Sequence, residues 1–141
     1  KDKEWHWFEP QLTYDNALLP LALLCHYEIS KNQQSLSIAI EALDFLTNKT
    51  LSFGFLNPVG NNGWLEKNKP MARYDQQAIE TMAMVLVYFK AYEITKKIEY
   101  MHHLYQSYLW FLGENSLNLP LYDYETKGCA DGLQPHGVNR N

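Results

Sequence analysis

The string Tyr27-Glu28-Ile29-Ser30 returns 65 residues later as Tyr92-Glu93-Ile94-Thr95, and this recurrence decides the fold that the sequence predicts. Tyr14-Asp15 likewise returns as Tyr74-Asp75, at an offset of 60 residues. Self-similarity over such a distance is typical of a repeated helical unit. We therefore expect one unit, close to 65 residues long, to be used twice.

Each unit contains an almost wholly apolar segment followed by an amphipathic one. The apolar segments, about 16–30 and 75–95, are too long for strands and rich in helix formers, so they predict buried helices. The amphipathic segments, about 32–48 and 98–112, carry apolar residues at spacings of three and four, as helices with one outward face do. Gly113 then fits a helix stop.

The helices pair into two hairpins, at about 13–48 and 74–113, separated and followed by the long loops 49–73 and 114–141. These elements predict an all-α protein, a layered array with the apolar helices inside. Such arrays stay open as solenoids or close into α/α toroids. Because two hairpins cannot close a ring, we expect an arc of a toroid, with the loops before the inner helices meeting at one mouth.

Composition excludes several classes of protein. Hydrophobic residues make up 46% and charged residues 20% of the chain, which argues against disorder. A net charge of −4 favours no nucleic-acid partner, and no run approaches the 18 apolar residues of a membrane helix. Gly60-Asn61-Asn62-Gly63 lacks the Lys-Ser/Thr of a P-loop, and the histidines lack zinc-like spacing, so we expect neither cofactor nor metal.

The sequence predicts a cytoplasmic protein and a piece of a longer polypeptide. Its start has no signal-peptide pattern, and two cysteines are too few for a disulfide scaffold. A Cys25–Cys129 bridge is possible, but two buried thiols are the expectation. Lys1 is not a start methionine, and residues 137–141 stop in loop-like sequence. Inner-helix faces left exposed in such a piece would predict self-association.

Aromatic residues number 20 in 141, and many stand beside carboxylates and amides where loops enter the apolar helices. A sugar ring stacks its C–H faces on aromatic rings, and its hydroxyls need short donors and acceptors. Paired carboxylates can also act as general acid and base on a glycosidic bond. The candidate acid–base residues are Glu9, Asp15, Asp75 and Asp131, and the candidate sugar-binding residues are Trp7, Asn16, Trp64, Arg73, Gln76, Gln77, Glu80 and Asn139.

Each candidate also has a structural interpretation. Asp15 and Asp75 can be helix N-caps, and Glu80 can be a favourable charge in a first helical turn. The tryptophans can be packing residues, and Arg73 can pair with a nearby acid.

Short strings spread over nearly the whole chain point to a family: Trp7-Phe8-Glu9, Leu12-Thr13-Tyr14-Asp15-Asn16-Ala17, Val59-Gly60-Asn61, Gly63-Trp64, Tyr74-Asp75-Gln76-Gln77-Ala78-Ile79-Glu80, Trp110-Phe111-Leu112-Gly113-Glu114-Asn115, Gly128-Cys129-Ala130-Asp131-Gly132-Leu133 and Val138-Asn139. In this order they resemble the helical module that follows the transferase domain in bacterial group-1 type glycosyltransferases. That module is similar to the α/α toroids of six-hairpin glycosidases and sugar epimerases.

The resemblance implies a role in carbohydrate metabolism and leaves three hypotheses open. The first is a glycan-binding module that is part of, or associated with, a bacterial glycosyltransferase. The second is a glycoside hydrolase or sugar epimerase that uses paired carboxylates. The third is a structural or interaction module with no ligand.

Overall fold

The structure, a computed structural model, describes residues 4–51 and 53–140 and contains four helices. They are α1 (Leu18–Ser30), α2 (Gln33–Thr50), α3 (Ala78–Thr95) and α4 (Ile98–Phe111). α1 packs on α2 and α3 packs on α4, and the two hairpins meet where α1 contacts α3. Residues 1–3 lie outside the described residues, as do residues 52 and 141 of the predicted loops.

The two hairpin turns are built alike, as the repeated string predicts. Lys31 and Lys96 end α1 and α3 in the left-handed conformation, and each donates its backbone N–H to a tyrosine carbonyl four residues earlier, over 2.8 Å. The acceptors are Tyr27 and Tyr92, and each lysine ammonium also lies over the ring of its own tyrosine. The same chemistry therefore closes both hairpins.

The prediction of an all-α arc of a toroid is wrong, because five short strands accompany the helices. β1 (Gln11–Leu12) pairs with β2 (Leu65–Glu66), and β3 (Gln76–Gln77), β4 (Gly132–Gln134) and β5 (Gly137–Asn139) form a second antiparallel sheet in that order. The chain is mixed α/β. β2, β4 and β5 lie in segments predicted as loops, whereas β3 occupies the start of the segment predicted as a helix at about 75–95. Buried backbone groups in such segments need partners. Two or three residues are too few to show an alternating pattern.

Close backbone contacts hold the start of α3 in place. A Cβ atom at Gly60 would lie 2.2 Å from the carbonyl oxygen of Tyr74, and one at Gly132 would lie 2.3 Å from that of Gln76. Gly60 also donates its N–H to the carbonyl of Ala72, over 2.8 Å. The loop after α2 and strand β4 therefore both press on the segment that leads into α3.

The apolar helices are buried on one side only, which differs from the burial expected for them. In α1 only Pro20 and Leu24 are fully buried. Each helix turns one side to its hairpin partner and to the other apolar helix, and no element among the described residues covers the other side. The large side chains exposed on these two helices are Leu18, Leu19, Ile29, Met82, Leu86 and Phe89.

Both cysteines are free thiols. Cys25 is partly buried, but Cys129 is exposed, so the expectation of two buried thiols is wrong for Cys129. Cys129 lies in the segment between α4 and β4, where its backbone forms an isolated antiparallel bridge with Tyr122. No helix in the described part of the chain is long and apolar enough to cross a membrane.

Candidate functional site

The predicted site residues fall into separate groups rather than one. Asp15, Asn16 and Glu80 meet where α1 and α3 begin. Arg73 lines a cavity, and Gln76 lies behind its wall. The others are spread over three places: Gln77, Asp131 and Asn139 at the three-stranded sheet, Trp7 and Glu9 near α2, and Trp64 and Asp75 in the loops before α3.

Glu80 joins the beginnings of the two apolar helices. It lies in the first turn of α3 and is only 4% exposed. Its carboxylate accepts the backbone N–H groups of Asp15 and Asn16, and the Asn16 side-chain amide donates to it over 3.1 Å. Ala17, not Asp15 or Asn16, is the N-cap of α1, and no side chain caps it. Glu80 thus satisfies backbone N–H groups in the turn just before α1 and holds that turn against the start of α3.

Burial raises the pKa of Glu80 to about 7, although the hydrogen bonds from Asn16 and Asp15 act in the opposite direction. Burial also raises the pKa of Asp15, whose Oδ1 is buried and has no hydrogen-bond partner among the described residues. A carboxyl group with a pKa near neutrality can exchange a proton under working conditions. The burial of Glu80 and its three donors give it a structural role as well.

Gln76 connects the segments that surround the start of α3. It is fully buried, and its Nε2 donates to Asn57 Oδ1 over 2.6 Å and to the Arg73 carbonyl over 2.9 Å. Its Oε1 accepts the indole N–H of Trp110 over 2.9 Å. Because its amide is occupied by these partners, Gln76 positions other residues and does not reach a ligand itself.

A cavity of about 610 Å³ opens next to Gln76. Its walls come from the last turn of α2, the loop between α2 and β3, and the segment after α4. This volume is typical of small-molecule sites. The lining residues combine aromatic, apolar, amide, hydroxyl and cationic groups: Lys49, Phe53, Phe55, Asn57, Met71, Arg73 and Ser116.

The polar groups of the cavity have unused hydrogen-bonding capacity. Gln76 occupies the Oδ1 of Asn57, and the Asn57 Nδ2 makes no hydrogen bond within the described residues. Arg73 places its guanidinium 5.6 Å from the centre of the Tyr74 ring, and Lys49 places its ammonium 5.3 Å from that of Phe45. Neither cation forms an ion pair with a described residue. The cavity is therefore electropositive and able to bind acceptors.

Three predicted site residues belong to the sheet beside α3. Gln77 pairs with Gly132, and Asn139 pairs with Gly132 on the other side. Asp131 is exposed; its backbone N–H donates to the Asn139 carbonyl, and its own carbonyl accepts the N–H of Ala78. The backbone of these residues builds the sheet, and the structure places none of them on the walls of the 610 Å³ cavity.

The aromatic residues near the start of the described chain pack on α2. Trp7 stacks on Phe45 with ring centres 6.3 Å apart, and Trp5 meets the same ring edge-on at 5.0 Å. The Trp5 indole donates to the Glu9 carbonyl over 2.6 Å. Trp7 contributes to this packing, while the exposed Glu9 lies at its edge.

Trp64 and Asp75 lie in the loops that lead into α3. Trp64 has a positive φ of 60°, and its N–H donates to the Gly60 carbonyl over 3.0 Å. Asp75 accepts the N–H of Asn61 at its backbone carbonyl, over 2.9 Å. Asp75 and Asp15 do not act as the predicted N-caps. The N-cap of α3 is Gln77, and the N-cap of α1 is Ala17.

Sequence reasoning missed most of the cavity wall. The candidates chosen from the sequence were residues where loops enter the apolar helices, and of the cavity wall they include only Arg73. The sequence pattern that could have indicated the cavity is the pair of phenylalanines on either side of Gly54, with Lys49 before them and Arg73 at the end of the loop. The six missed residues are Lys49, Phe53, Phe55, Asn57, Met71 and Ser116.

Comparison with protein-family models and with curated proteins finds no match. Among the residues described, no three histidine, cysteine or acidic side chains lie together as metal ligands would. The chemistry of the cavity and of the carboxylates is therefore the basis for a function.

Proposed function

We propose that this protein binds carbohydrate in the 610 Å³ cavity, as a module that is part of, or associated with, a bacterial glycosyltransferase. The observation that supports this most directly is the composition of the cavity wall. Two phenylalanines, an amide and a hydroxyl border one space together with two cations, and aromatic rings beside hydrogen-bonding groups suit a sugar.

The chemistry of a pyranose matches these groups one by one. Phe53 and Phe55 offer apolar rings on which the C–H face of the sugar can stack. Asn57 offers a free amide N–H₂, and Ser116 a hydroxyl, for the ring hydroxyls. Gln76 fixes Asn57 from behind, so part of the wall is ordered before the ligand arrives.

The link to a glycosyltransferase rests on the ordered strings along the chain, and this chain has no nucleotide-sugar pattern of its own. A sugar donor would therefore bind to another domain or protein. A cytoplasmic location fits this role, and the two free thiols support it.

A glycan array, followed by calorimetry with the glycan that binds most tightly, tests the proposal. Phe55→Ala and Ser116→Ala should each weaken binding, by about five- to tenfold, because each removes one contact to the sugar. Phe89→Ala is the matched control, since Phe89 is exposed on the uncovered side of α3. An array without a bound glycan, or cavity variants that bind as tightly as the control, would contradict the proposal.

A second candidate function is hydrolysis or epimerisation of a sugar, favoured by the raised pKa of Glu80 and the unpartnered Asp15 Oδ1 beside it. It predicts that Asp15→Asn abolishes turnover of a bound glycan while binding persists. Product analysis by mass spectrometry measures this, with Asp131→Asn as the comparison. A glycan that is bound but never converted would rule this candidate out.

A further inference from the structure

The two cations of the cavity form no ion pair with a described acidic residue. Arg73 is exposed at the end of the loop before β3, and Lys49 is exposed in the last turn of α2. Both line the same space, and the described residues of its wall include no acidic side chain. An unpaired arginine beside a binding space is suited to a planar anion, because its N–H groups form a fixed fork.

Charge of both signs surrounds the cavity. Lys49 also lines a neighbouring pocket of about 200 Å³ with Lys67, Lys69 and one acid, Glu4, and Lys69 is ion-paired with Glu66. On another side Lys49 borders a pocket with three acids in its wall, Glu4, Glu41 and Asp44. The chain has a net charge of −4, so the wall of the 610 Å³ cavity, which has two cations and no acid among its described residues, is a local reversal of the charge.

We infer that the bound carbohydrate is acidic, with a carboxylate or phosphate group held by Arg73 and with Lys49 as a second cation on the same wall. This inference rests on the proposed function, because it names the class of sugar that the same cavity selects. A neutral sugar would offer Arg73 only uncharged hydroxyl acceptors, whereas an acidic one offers the guanidinium a charged acceptor that two of its N–H groups can bind, and still stacks on the phenylalanines.

Matched ligands separate charge from shape. Calorimetry would compare an oligogalacturonide with the same oligomer after methyl esterification, and a hexose 6-phosphate with the free hexose. We expect the anionic member of one pair to bind about tenfold more tightly or better, as a charge-assisted hydrogen bond implies. The pair that shows the difference identifies carboxylate or phosphate as the group. Inorganic phosphate alone should bind weakly, because it has no ring to stack.

Variants of the cations test the assignment of residues. Arg73→Gln should remove the preference for the anionic ligand, Arg73→Lys should keep part of it, and Lys49→Gln should reduce the dependence of binding on salt. Lys96→Gln is the matched control, because Lys96 also lies over an aromatic ring but at the far end of α3.

The outcomes distinguish the two proposals. Equal binding of charged and neutral members, or a preference that survives in Arg73→Gln, would overturn the inference and leave sugar binding intact. Failure of every charged and neutral glycan, on the array as well as in calorimetry, would remove the proposed function and this inference together.

Discussion

At the scale of single residues, Glu80 has the most unusual environment. It is buried and accepts N–H groups from Asp15 and Asn16, which lie 65 and 64 residues earlier in the chain. Burial raises its pKa to about 7. In the unfolded chain the group returns to its ordinary pKa near 4.5, so the folded state holds the proton more tightly.

The stability of the fold should therefore depend on pH through Glu80. Its contribution is fully present below about pH 4.5 and is lost as the pH rises through about 7. We expect the free energy of unfolding to fall across this window by up to about 3 kcal/mol. Urea denaturation at a series of pH values measures it. Burial also raises the pKa of Asp15, which adds a change of the same sign.

The variant Glu80→Gln should flatten this pH dependence, because an amide does not titrate. Glu93→Gln serves as the control, since Glu93 lies on the surface beside Lys90. A Glu80→Gln profile as steep as that of the unaltered chain would show that other groups cause the slope.

Gln76 and Gln77 are neighbours, but we expect their replacement by alanine to reduce the stability of the fold by different amounts. Gln76→Ala should destabilise the fold by about 3 kcal/mol, because it leaves the Trp110 indole N–H and the Asn57 Oδ1 buried without partners. Gln77→Ala should cost less than about 1 kcal/mol, because the Gln77 side chain is half-buried and its backbone pairing is kept. Chemical denaturation compares the two, and similar losses would contradict the role assigned to Gln76.

The sequence drew attention to the polar residues before and within the start of α3, but it indicated neither their roles nor most of the cavity wall. One polar run contains Tyr74-Asp75-Gln76-Gln77 and Glu80. Nothing in the run itself indicates which of its side chains is buried and bonded inside the protein and which is accessible to a ligand. What separates them is tertiary: Asn57 and Trp110 reach Gln76 from 19 and 34 residues away. Local patterns carry no information about such partners.

At the scale of elements, the helices were predictable because apolar residues repeat along them over many turns. The similarity of the two hairpin turns was predictable from the repeated Tyr-Glu-Ile string, since each turn depends on adjacent residues. The strands were not, because β1, β2 and β3 have two residues each and pair with distant segments. The all-α class failed for this reason.

The approach of the loops to α3 gives a prediction for glycines. Gly60→Ala should destabilise the fold by about 2 kcal/mol or more, because its Cβ would overlap the Tyr74 carbonyl, which is part of the backbone. Gly128→Ala is the matched control, since its Cβ would meet only the Thr126 hydroxyl, at 3.3 Å. Thermal unfolding compares the two, and a Gly60 variant as stable as the control would refute the tight backbone contact.

At the scale of the whole molecule, the uncovered sides of α1 and α3 matter most for association. Met82, Leu86 and Phe89 form one exposed stripe along α3. We expect the chain to self-associate through it, and Met82→Ser/Leu86→Gln/Phe89→Gln to be monomeric in sedimentation velocity. Tyr105→Gln, on the exposed side of α4, should leave association unchanged. A chain that is already monomeric before substitution would contradict this expectation.

The central claim is that the cavity between the end of α2, the following loop and the segment after α4 binds carbohydrate. Its most direct test is an NMR titration of isotope-labelled protein with the glycan that binds most tightly on the array. We predict saturable shifts in the amides of residues 49–57 and 71–73 and of Ser116. Saturable shifts confined to the three-stranded sheet or to the uncovered face of α3, or no shifts with any glycan, would contradict the claim.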